Sequence, residues 1–509
     1  MATRNRKKTW RHGSVAVSVS VLLIAAVILL NGIFGALADR YGWYVDMNPT
    51  LLYPATNAFY AYLDEYVIPE AQATGEDVRI LFCEDAESLT ATDVTALVLN
   101  TAHEVAERYP EQVRVDHLNI VENPKQARAY GVDDSTDVVV ICGDRTKVCS
   151  LTDFYVYEGG DTSTLVAYSG LRRFATVLRS VVRRELPVCY VTVNHGEAFT
   201  DYEMLYAVAD AGYEVKSLDL LYNEIPDDCD LLLTYNPDRD FTVVDGVSGT
   251  SELDRLDAYM QKGGRYLVFV SADTFAAGGF ANLEGYLADW GVTFAHQTGN
   301  TGLEECYLIR DTAHALSTDG YTILTRAGDG EKAAEILAPV LSDAQASVMV
   351  SGATAIRPAR GFADNGRGQY VKDDVTVTPL LSSYGGAEAW ASGRAVDRAG
   401  EEGYTLMTLS ERPAGDATGY VLACSSTGFA CEESMQSAAF DNRGVFMSVI
   451  RGMGKTDVPL HIEPQPIADS TIRTMTTAQA RAITWVSVLV PSVVLTAVGL
   501  WVLLRRKYA

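Results

Sequence analysis

A histidine and a glutamate two residues apart are the first candidates for chemistry in this sequence. His195 and Glu197 follow an apolar run at 188–193 and flank Gly196. An imidazole beside a carboxylate can act as a general acid–base pair or bind a metal ion. No second histidine stands at a metal-ligand spacing. The pattern therefore favours a structural role for His195, in a tight turn at Gly196.

Other motifs that would indicate catalysis are incomplete. His103-Glu104 lacks the histidine four residues after His103 that a zinc-binding helix needs. Gly454-Lys455-Thr456 lacks the glycine of a phosphate-binding loop, because Val449 stands at that position. No Gly-x-Ser-x-Gly motif occurs. We therefore predict no catalytic residue, no metal site, no cofactor and no enzyme activity.

Four polar loops follow predicted strands, at 194–197, 236–240, 271–273 and 425–428. The carboxyl ends of parallel strands meet at one edge of a sheet, where α/β proteins usually bind ligands. This edge could serve as a site for a ligand or a partner. The alternative is that it is only a solvated rim. Its candidate residues are Asn194, His195, Glu197, Asp238, Arg239, Asp240, Asp273, Ser425 and Ser426.

Apolar runs separated by glycine and helix-capping residues predict two α/β domains. The first has strands at 78–83 and 113–118, helices at 91–109 and 124–130, and a hairpin at 137–142 and 147–151. This order is thioredoxin-like, although Cys83 begins no Cys-x-x-Cys motif. The second is a parallel-sheet domain with predicted strands at 188–193, 213–218, 230–235, 265–270, 347–353, 375–381, 404–409 and 419–424, and helices at 201–211, 251–261 and 440–452.

Charge is distributed unevenly along the 509 residues, whose formal net charge is −25. Basic residues without acids occur at 4–11 and 505–507, whereas the middle of the chain is acidic. An acidic body is repelled by the phosphates of nucleic acid. The composition therefore excludes a nucleic-acid partner.

Two long uncharged apolar runs predict transmembrane helices. They span 14–38 and 482–504, and 23 residues reach ~35 Å against a hydrocarbon core of about 30 Å. Basic flanks predict a two-pass cell-membrane protein with both termini cytoplasmic and residues of about 39–481 extracytoplasmic. A cleaved signal peptide is the alternative for the first run. The full division is a basic tip at 1–13, a helix at 14–38, a juxtamembrane segment at 39–75, a thioredoxin-like domain at 76–157, a connecting helix at 158–186, a flavodoxin-like domain with insertions at 187–455, a linker at 456–481, a helix at 482–504 and a basic tail at 505–509.

The sequence has eight cysteines, and an extracytoplasmic location would permit disulfides. Cys142 and Cys149 would face each other if the hairpin loop were 144–147. We therefore predict a possible disulfide between them. Cys83, Cys189 and Cys229 lie in or beside apolar strands, which is typical of small buried side chains.

The segments 116–132, 137–153, 194–197, 256–264 and 419–429 follow one another in this order along the chain. Taken together they resemble the GldG-like family, the auxiliary components of an uncharacterised ABC-type transport system. The family's Gly-His-Gly-Glu matches 194–197, with Asn194 in place of the first glycine. The resemblance covers about 75–455.

The resemblance implies a non-catalytic, outward-facing partner of a permease and an ATPase on separate chains. Its second domain would be flavodoxin-like or similar to a class I amidotransferase without the nucleophile. Two alternatives stay open at this point. One is an envelope hydrolase using His195, Glu197 and nearby carboxylates. The other is a surface sensor or carbohydrate-binding module.

Overall fold

A computed structural model describes residues 53–467, except 133, 158–164, 198, 200–201, 244–250, 276–279, 299–303, 342–345 and 438. The side chains of Asp273, Phe275 and Glu304 are also outside the description. Most of the predicted elements between 57 and 452 are present, with ends shifted by a few residues.

The first α/β unit contains a four-stranded sheet in the order β2-β1-β3-β4. β1 pairs in parallel with β2 and antiparallel with β3, so β1 is central. Its longest helix, α4, begins after Thr92, whose hydroxyl caps the N–H of Thr95, and its apolar face is buried. The elements are α1 (Asn57–Tyr62), a π-helical turn (Leu63–Val67), α2 (Ile68–Thr74), β1 (Val78–Phe82), α3 (Ala86–Leu89), α4 (Asp93–Arg108), β2 (Val113–His117), α5 (Pro124–Ala129), β3 (Asp137–Cys142) and β4 (Arg145–Ser150).

The β3–β4 hairpin has a different register from the predicted one. Cys142 pairs with Arg145, so the turn contains only Gly143 and Asp144, and Gly143 has a φ of +61°. Cys149 stands four residues beyond Arg145, about 13 Å along the strand, whereas a disulfide needs Cα atoms about 4.4–6.8 Å apart. Both cysteines are free thiols, so the predicted disulfide is wrong.

A small three-stranded sheet follows, which the sequence analysis did not predict. β5 (Tyr155–Tyr157), β6 (Leu165–Tyr168) and β25 (Gln465–Pro466) form it in the order β25-β6-β5. β6 occupies the start of the predicted connecting helix, which is shortened to α6 (Gly170–Val182). β25 lies in the predicted linker, so the segment after 455 packs against the connecting region.

The largest sheet has 13 strands and carries the polar loops. β24, β10, β9, β7 and β8 are adjacent and parallel, and β23, β20, β15 and β16 continue the sheet antiparallel. The remaining elements are β7 (Val188–Thr192), α7 (Glu203–Asp210), β8 (Glu214–Leu218), β9 (Cys229–Tyr235), α8 (Glu252–Met260), β10 (Arg265–Phe269), α9 (Ala281–Asp289), β11 (Val292–Phe294), β12 (His296–Thr298), β13 (Glu304–Cys306), β14 (Leu308–Arg310), β15 (Thr322–Ala327), α10 (Glu331–Leu341), β16 (Val348–Ser351), β17 (Ile356–Pro358), β18 (Ala363–Asp364), β19 (Tyr370–Lys372), β20 (Val375–Ser382), β21 (Glu388–Ala391), β22 (Arg394–Arg398), β23 (Thr405–Ala414), β24 (Ala417–Cys424), α11 (Glu432–Met435) and α12 (Asn442–Gly452).

Helices cover both faces of this sheet and form two apolar cores. Residues of α7, α10 and α12 belong to one core, and residues of α8 and α9 belong to the other. Alternate residues of β7 enter the two cores, as the pleat requires: Cys189 and Val191 in one, Val188 and Tyr190 in the other. The fold is mixed α/β.

The predicted flanking transmembrane helices are not supported. Within the described part of the chain, no helix is both long and apolar enough to span a membrane. The longest described helix, α4, has 16 residues and reaches only ~24 Å. The predicted segments 14–38 and 482–504 lie outside the described residues. The fold class is corrected to mixed α/β sheets, and the two-pass localisation is withdrawn.

Asp457 joins the segment after α12 to two earlier parts of the chain. Its carboxylate accepts hydrogen bonds from Arg179 at 3.2 Å, Arg183 at 2.7 Å and Lys455 at 2.7 Å. Its carbonyl accepts a hydrogen bond from the Tyr62 hydroxyl. One carboxylate therefore neutralises cations from α6 and from its own segment.

We predict that Asp457→Ala lowers the free energy of unfolding by about 3 kcal/mol, because it leaves the nearly buried Lys455 without its counter-ion and removes one of the two carboxylates that pair with Arg179. The measurement is guanidinium unfolding of the full chain. Asp227→Ala is the control, because its pair with Lys262 is 95% exposed on the aspartate side and should contribute little. Equal effects of the two substitutions would contradict the account.

Candidate functional site

The turn after β7 is held by its backbone conformation and by the neighbouring loop. Asn194 has a φ of +78° and Gly196 a φ of +75°, a left-handed pairing that reverses the chain. The His195 carbonyl accepts the N–H groups of Asp238 and Arg239, both at 2.9 Å. A Cβ on Gly196 would lie 1.7 Å from Asp238 Oδ1. The loops after β7 and β9 are therefore joined by main-chain hydrogen bonds.

His195 lies between two carboxylates in the protein interior. Its Nδ1 is 2.9 Å from Glu197 Oε1, and its Nε2 is 3.0 Å from Glu252 Oε1. Its backbone N–H also donates to Glu197 Oε2 at 2.8 Å. The imidazole stacks on Phe241, with ring centroids 4.2 Å apart. We call Glu197, His195 and Glu252 the buried triad.

Further polar groups satisfy the carboxylates of the buried triad. Thr192, the last residue of β7, donates its hydroxyl to Glu197 at 2.9 Å. Glu252 Oε2 accepts both the N–H and the hydroxyl of Thr242 at 2.7 Å. Glu252 is also the first residue of α8, where Ser251 and Asp254 form a capping box and the helix dipole favours negative charge.

The charges of the buried triad follow from these contacts. Burial by itself would lower the pKa of His195, but the hydrogen bonds to Glu197 and Glu252 outweigh it and raise the pKa to about 9. Burial would raise the pKa of Glu252, but the hydrogen bonds from His195 and Thr242 lower it to about 2. Burial would also raise the pKa of Glu197, but the hydrogen bond from His195 outweighs it, together with further hydrogen bonds, and the pKa is lowered. At neutral pH an imidazolium therefore donates to both carboxylates.

An imidazolium in this position cannot perform the chemistry that the sequence suggested. A general base and a metal ligand both need a ring nitrogen with a free lone pair. Both ring nitrogens of His195 carry protons used in hydrogen bonds, and the ring is buried. Among the described residues, no group of three or more His, Cys, Asp or Glu could hold a metal ion.

The two serines after β24 are also engaged. Ser425 is buried, and its hydroxyl lies 2.6 Å from the carbonyl of Thr354. The Ser426 hydroxyl donates to the carbonyl of Ser351 at 2.6 Å. These hydroxyls satisfy backbone acceptors, and neither contacts His195.

The remaining predicted edge residues have separate roles. Asn194 donates its side-chain amide to Asp219. Asp238 and Arg239 form an exposed pair at 3.4 Å. Asp240 accepts the N–H groups of Asn282 and Leu283 at the start of α9. β7, β9, β10 and β24 are parallel, so the four loops do leave one sheet edge.

Sequence reasoning missed Glu252. Its position after Ser251 predicts a helix start, where an acidic residue is usual, and nothing local indicates a partner. Its contact with His195 joins residues 57 positions apart. Only the pairing of β7, β9 and β10 brings them together.

Comparison with known proteins gives one family match and no close relative. The model of a family described as "ABC-type uncharacterized transport system" matches residues 185–309, which include the buried triad and about a quarter of the chain. No curated protein matches.

Three solved structures are similar over about half of this chain. The mmIFT52 N-terminal domain is 12% identical, with 52% of this chain and 96% of that one covered and a TM-score of 0.36. PurLQS from Thermotoga maritima is 14% identical (53% and 100% covered, TM-score 0.28). A cytoplasmic protein from Salmonella typhimurium, STM3548, is 10% identical (52% and 98% covered, TM-score 0.30). These TM-scores are too low to assign a fold or a function.

We predict that the free energy of unfolding is lower at pH 9.5 than at pH 6. In the His195→Gln variant this decrease should be smaller by about 3 kcal/mol. The folded pKa of His195, about 9, exceeds the unfolded value of 6.5. Its stabilising contribution is therefore complete below pH 6.5 and is lost as the pH rises through about 9. Urea unfolding at the two pH values measures the difference.

The control is His103→Gln, which changes an exposed position of α4 and should leave the pH dependence intact. If the free energy of unfolding decreases by the same amount in His195→Gln and in the unmodified chain over this range, His195 is not protonated between the two glutamates and the account is contradicted.

Proposed function

We propose that this chain is a non-catalytic auxiliary component of an ABC-type transport system. It acts by binding a protein or a ligand beside a permease and an ATPase on separate chains. The family match over 185–309 supports this proposal, because that family is described as an ABC-type transport system. The resemblance of the flanking motifs to the GldG-like family points the same way.

The observation that carries the non-catalytic part is the buried triad. In α/β proteins the carboxyl edge of the sheet is where ligands are bound and chemistry is performed. Here the only histidine at that edge among the described residues has both ring nitrogens hydrogen-bonded to carboxylates. The triad stabilises the loops of the edge, leaving the exposed side chains around it for binding.

The need for a separate ATPase is supported by the surroundings of Lys455. In a phosphate-binding loop this lysine would reach a nucleotide phosphate. Lys455 instead donates to Asp457 at 2.7 Å, and its ammonium lies 5.2 Å from the centre of the Tyr213 ring. Its side chain is nearly buried and already paired, so it is not in a position to hold a nucleotide phosphate.

We expect a tagged full-length chain, purified from its own cells in mild detergent, to recover an ATPase with a phosphate-binding loop and a multi-helix permease. Mass spectrometry with intensity-based quantification measures their ratio to the bait. Repeated purification without either of these proteins would contradict the proposal.

A pair of matched variants locates the partner surface. Asp238→Ala combined with Arg239→Ala removes the exposed pair at the carboxyl edge. Asp227→Ala combined with Lys262→Ala removes an even more exposed pair next to the amino ends of β9 and β10. We expect only the first double variant to reduce recovery of the permease and the ATPase. The reverse result would exclude the carboxyl edge as the partner surface.

A further inference from the structure

The two outer edges of the largest sheet differ in how their backbone groups are satisfied. In the order of paired strands, the sheet ends in β16 on one side and in β8 on the other. The outer N–H and C=O groups of an edge strand have no neighbouring strand, so they need side chains, water or another chain as hydrogen-bond partners. β16 and β8 meet this requirement in different ways.

Side chains seal the outer edge of β16. Asn442, the first residue of α12, accepts the N–H of Met349 at 3.0 Å and donates to its carbonyl at 2.7 Å, as a neighbouring strand would. Asp441 does the same for Ser347, whose N–H donates to the carboxylate at 2.9 Å. The N–H of Asp441 in turn donates to the Ser347 carbonyl at 2.8 Å. This edge is therefore closed to another strand.

The outer edge of β8 has no such cover. The N–H of Glu214 donates to the residue before β7 at 2.9 Å, and the carbonyl of Leu218 accepts from the residue after β7 at 3.1 Å. Because backbone groups alternate along a strand, Val215 and Ser217 direct their N–H and C=O groups away from the sheet. Within the described part of the chain, none of these four groups has a hydrogen-bond partner.

The two faces beside this open edge differ in polarity. Val215 packs against the apolar core of α7, α10 and α12 and is only partly buried, as is Leu205 of α7. The opposite face has Glu214 and Lys216, because side chains alternate. The Lys216 ammonium lies 3.3 Å from Glu214 and 3.8 Å from Asp228, so two half-exposed carboxylates share one cation. A strand added here would meet apolar surface on one face and excess negative charge on the other.

We propose that the open edge of β8 binds an extended segment of a protein partner, in which basic and apolar residues alternate. The backbone of that segment pairs with Val215 and Ser217 as an added strand of the sheet. Its apolar side chains extend the core beside Val215, and its basic side chains lie beside Glu214 and Asp228. A second copy of this chain fits less well, because it has the same excess of negative charge. This surface is separate from the exposed pair at the carboxyl edge, so the inference goes beyond the function proposed above.

Hydrogen exchange of individual backbone amides in the isolated full chain tests whether the edge is open. We expect the amides of Val215 and Ser217 to exchange about 100-fold faster than that of Lys216, which faces β7. Met349, whose N–H is covered by Asn442, is the control at the other edge and should exchange slowly. Equal protection of all three β8 amides would overturn the proposal. Protection that increases with protein concentration would also overturn it, and would assign the edge to a second copy.

Three blocked peptides of seven residues test the occupant by titration into the isolated chain. One alternates lysine with valine, the second has glutamate in place of lysine, and the third has proline in place of valine. The third keeps the positive charge but cannot donate from the positions opposite Val215 and Ser217. We expect the lysine–valine peptide to bind at least about tenfold more tightly than either control and to slow exchange of both amides about tenfold. Equal binding of the lysine–proline peptide, or no protection up to ~10 mM, would overturn the proposal.

Two pairs of variants place the binding on β8. Ser217→Pro removes an outward N–H, and Glu214→Lys reverses a half-exposed charge. Each should weaken the lysine–valine peptide about tenfold or more, with unchanged circular dichroism. The matched controls are Thr146→Pro on the edge strand β4, where Arg145 closes the hairpin and the next N–H also points outward, and Glu335→Lys, which removes another pair with a lysine at 3.2 Å. Unchanged affinity in both β8 variants would contradict this location.

Discussion

Two buried carboxylates on either side of one imidazole determine the geometry at the carboxyl edge of the large sheet. Glu197 comes from the loop after β7, and Glu252 comes from the first turn of α8. Burial penalises an ionised carboxylate, and the protonated ring of His195 offsets that penalty for both glutamates, together with the hydrogen bonds from Thr192 and Thr242. The stacking of His195 on Phe241 extends the same constraint to the loop after β9. One charged group thus sets the positions of two loops and one helix start.

This constraint explains why the edge supports binding better than chemistry. The position that many α/β enzymes use for a reactive group contains an ion triad whose hydrogen bonds are complete. The serines after β24 donate to backbone carbonyls and do not face the histidine. The edge is therefore rigid, and the partner surface that we propose consists of the exposed side chains around the buried triad.

Local patterns predicted much of this fold, because they act within a few residues. Apolar runs bounded by Gly212 and by the cap at Ser251 indicated β7, α7, β8 and α8 closely. The hairpin register was missed because it depends on whether Gly143 and Asp144 alone form the turn. The pairing of β25 with β6 and the contact of Glu252 with His195 join distant residues, so no local pattern reports them. The four predicted loops do leave one edge of the sheet. The roles of their side chains depend on which of them are buried and on their hydrogen-bond partners, which the sequence does not show.

The protonation state of His195 at about pH 7.5 is the most direct test of this account. Nitrogen-15 NMR of the histidine-labelled full chain measures it, with the His195→Gln variant to assign the signal. The account predicts an imidazolium, with protons on both Nδ1 and Nε2, that begins to titrate only near a pKa of about 9. A neutral ring with one unprotonated nitrogen would contradict it, because His195 would then be available as a general base.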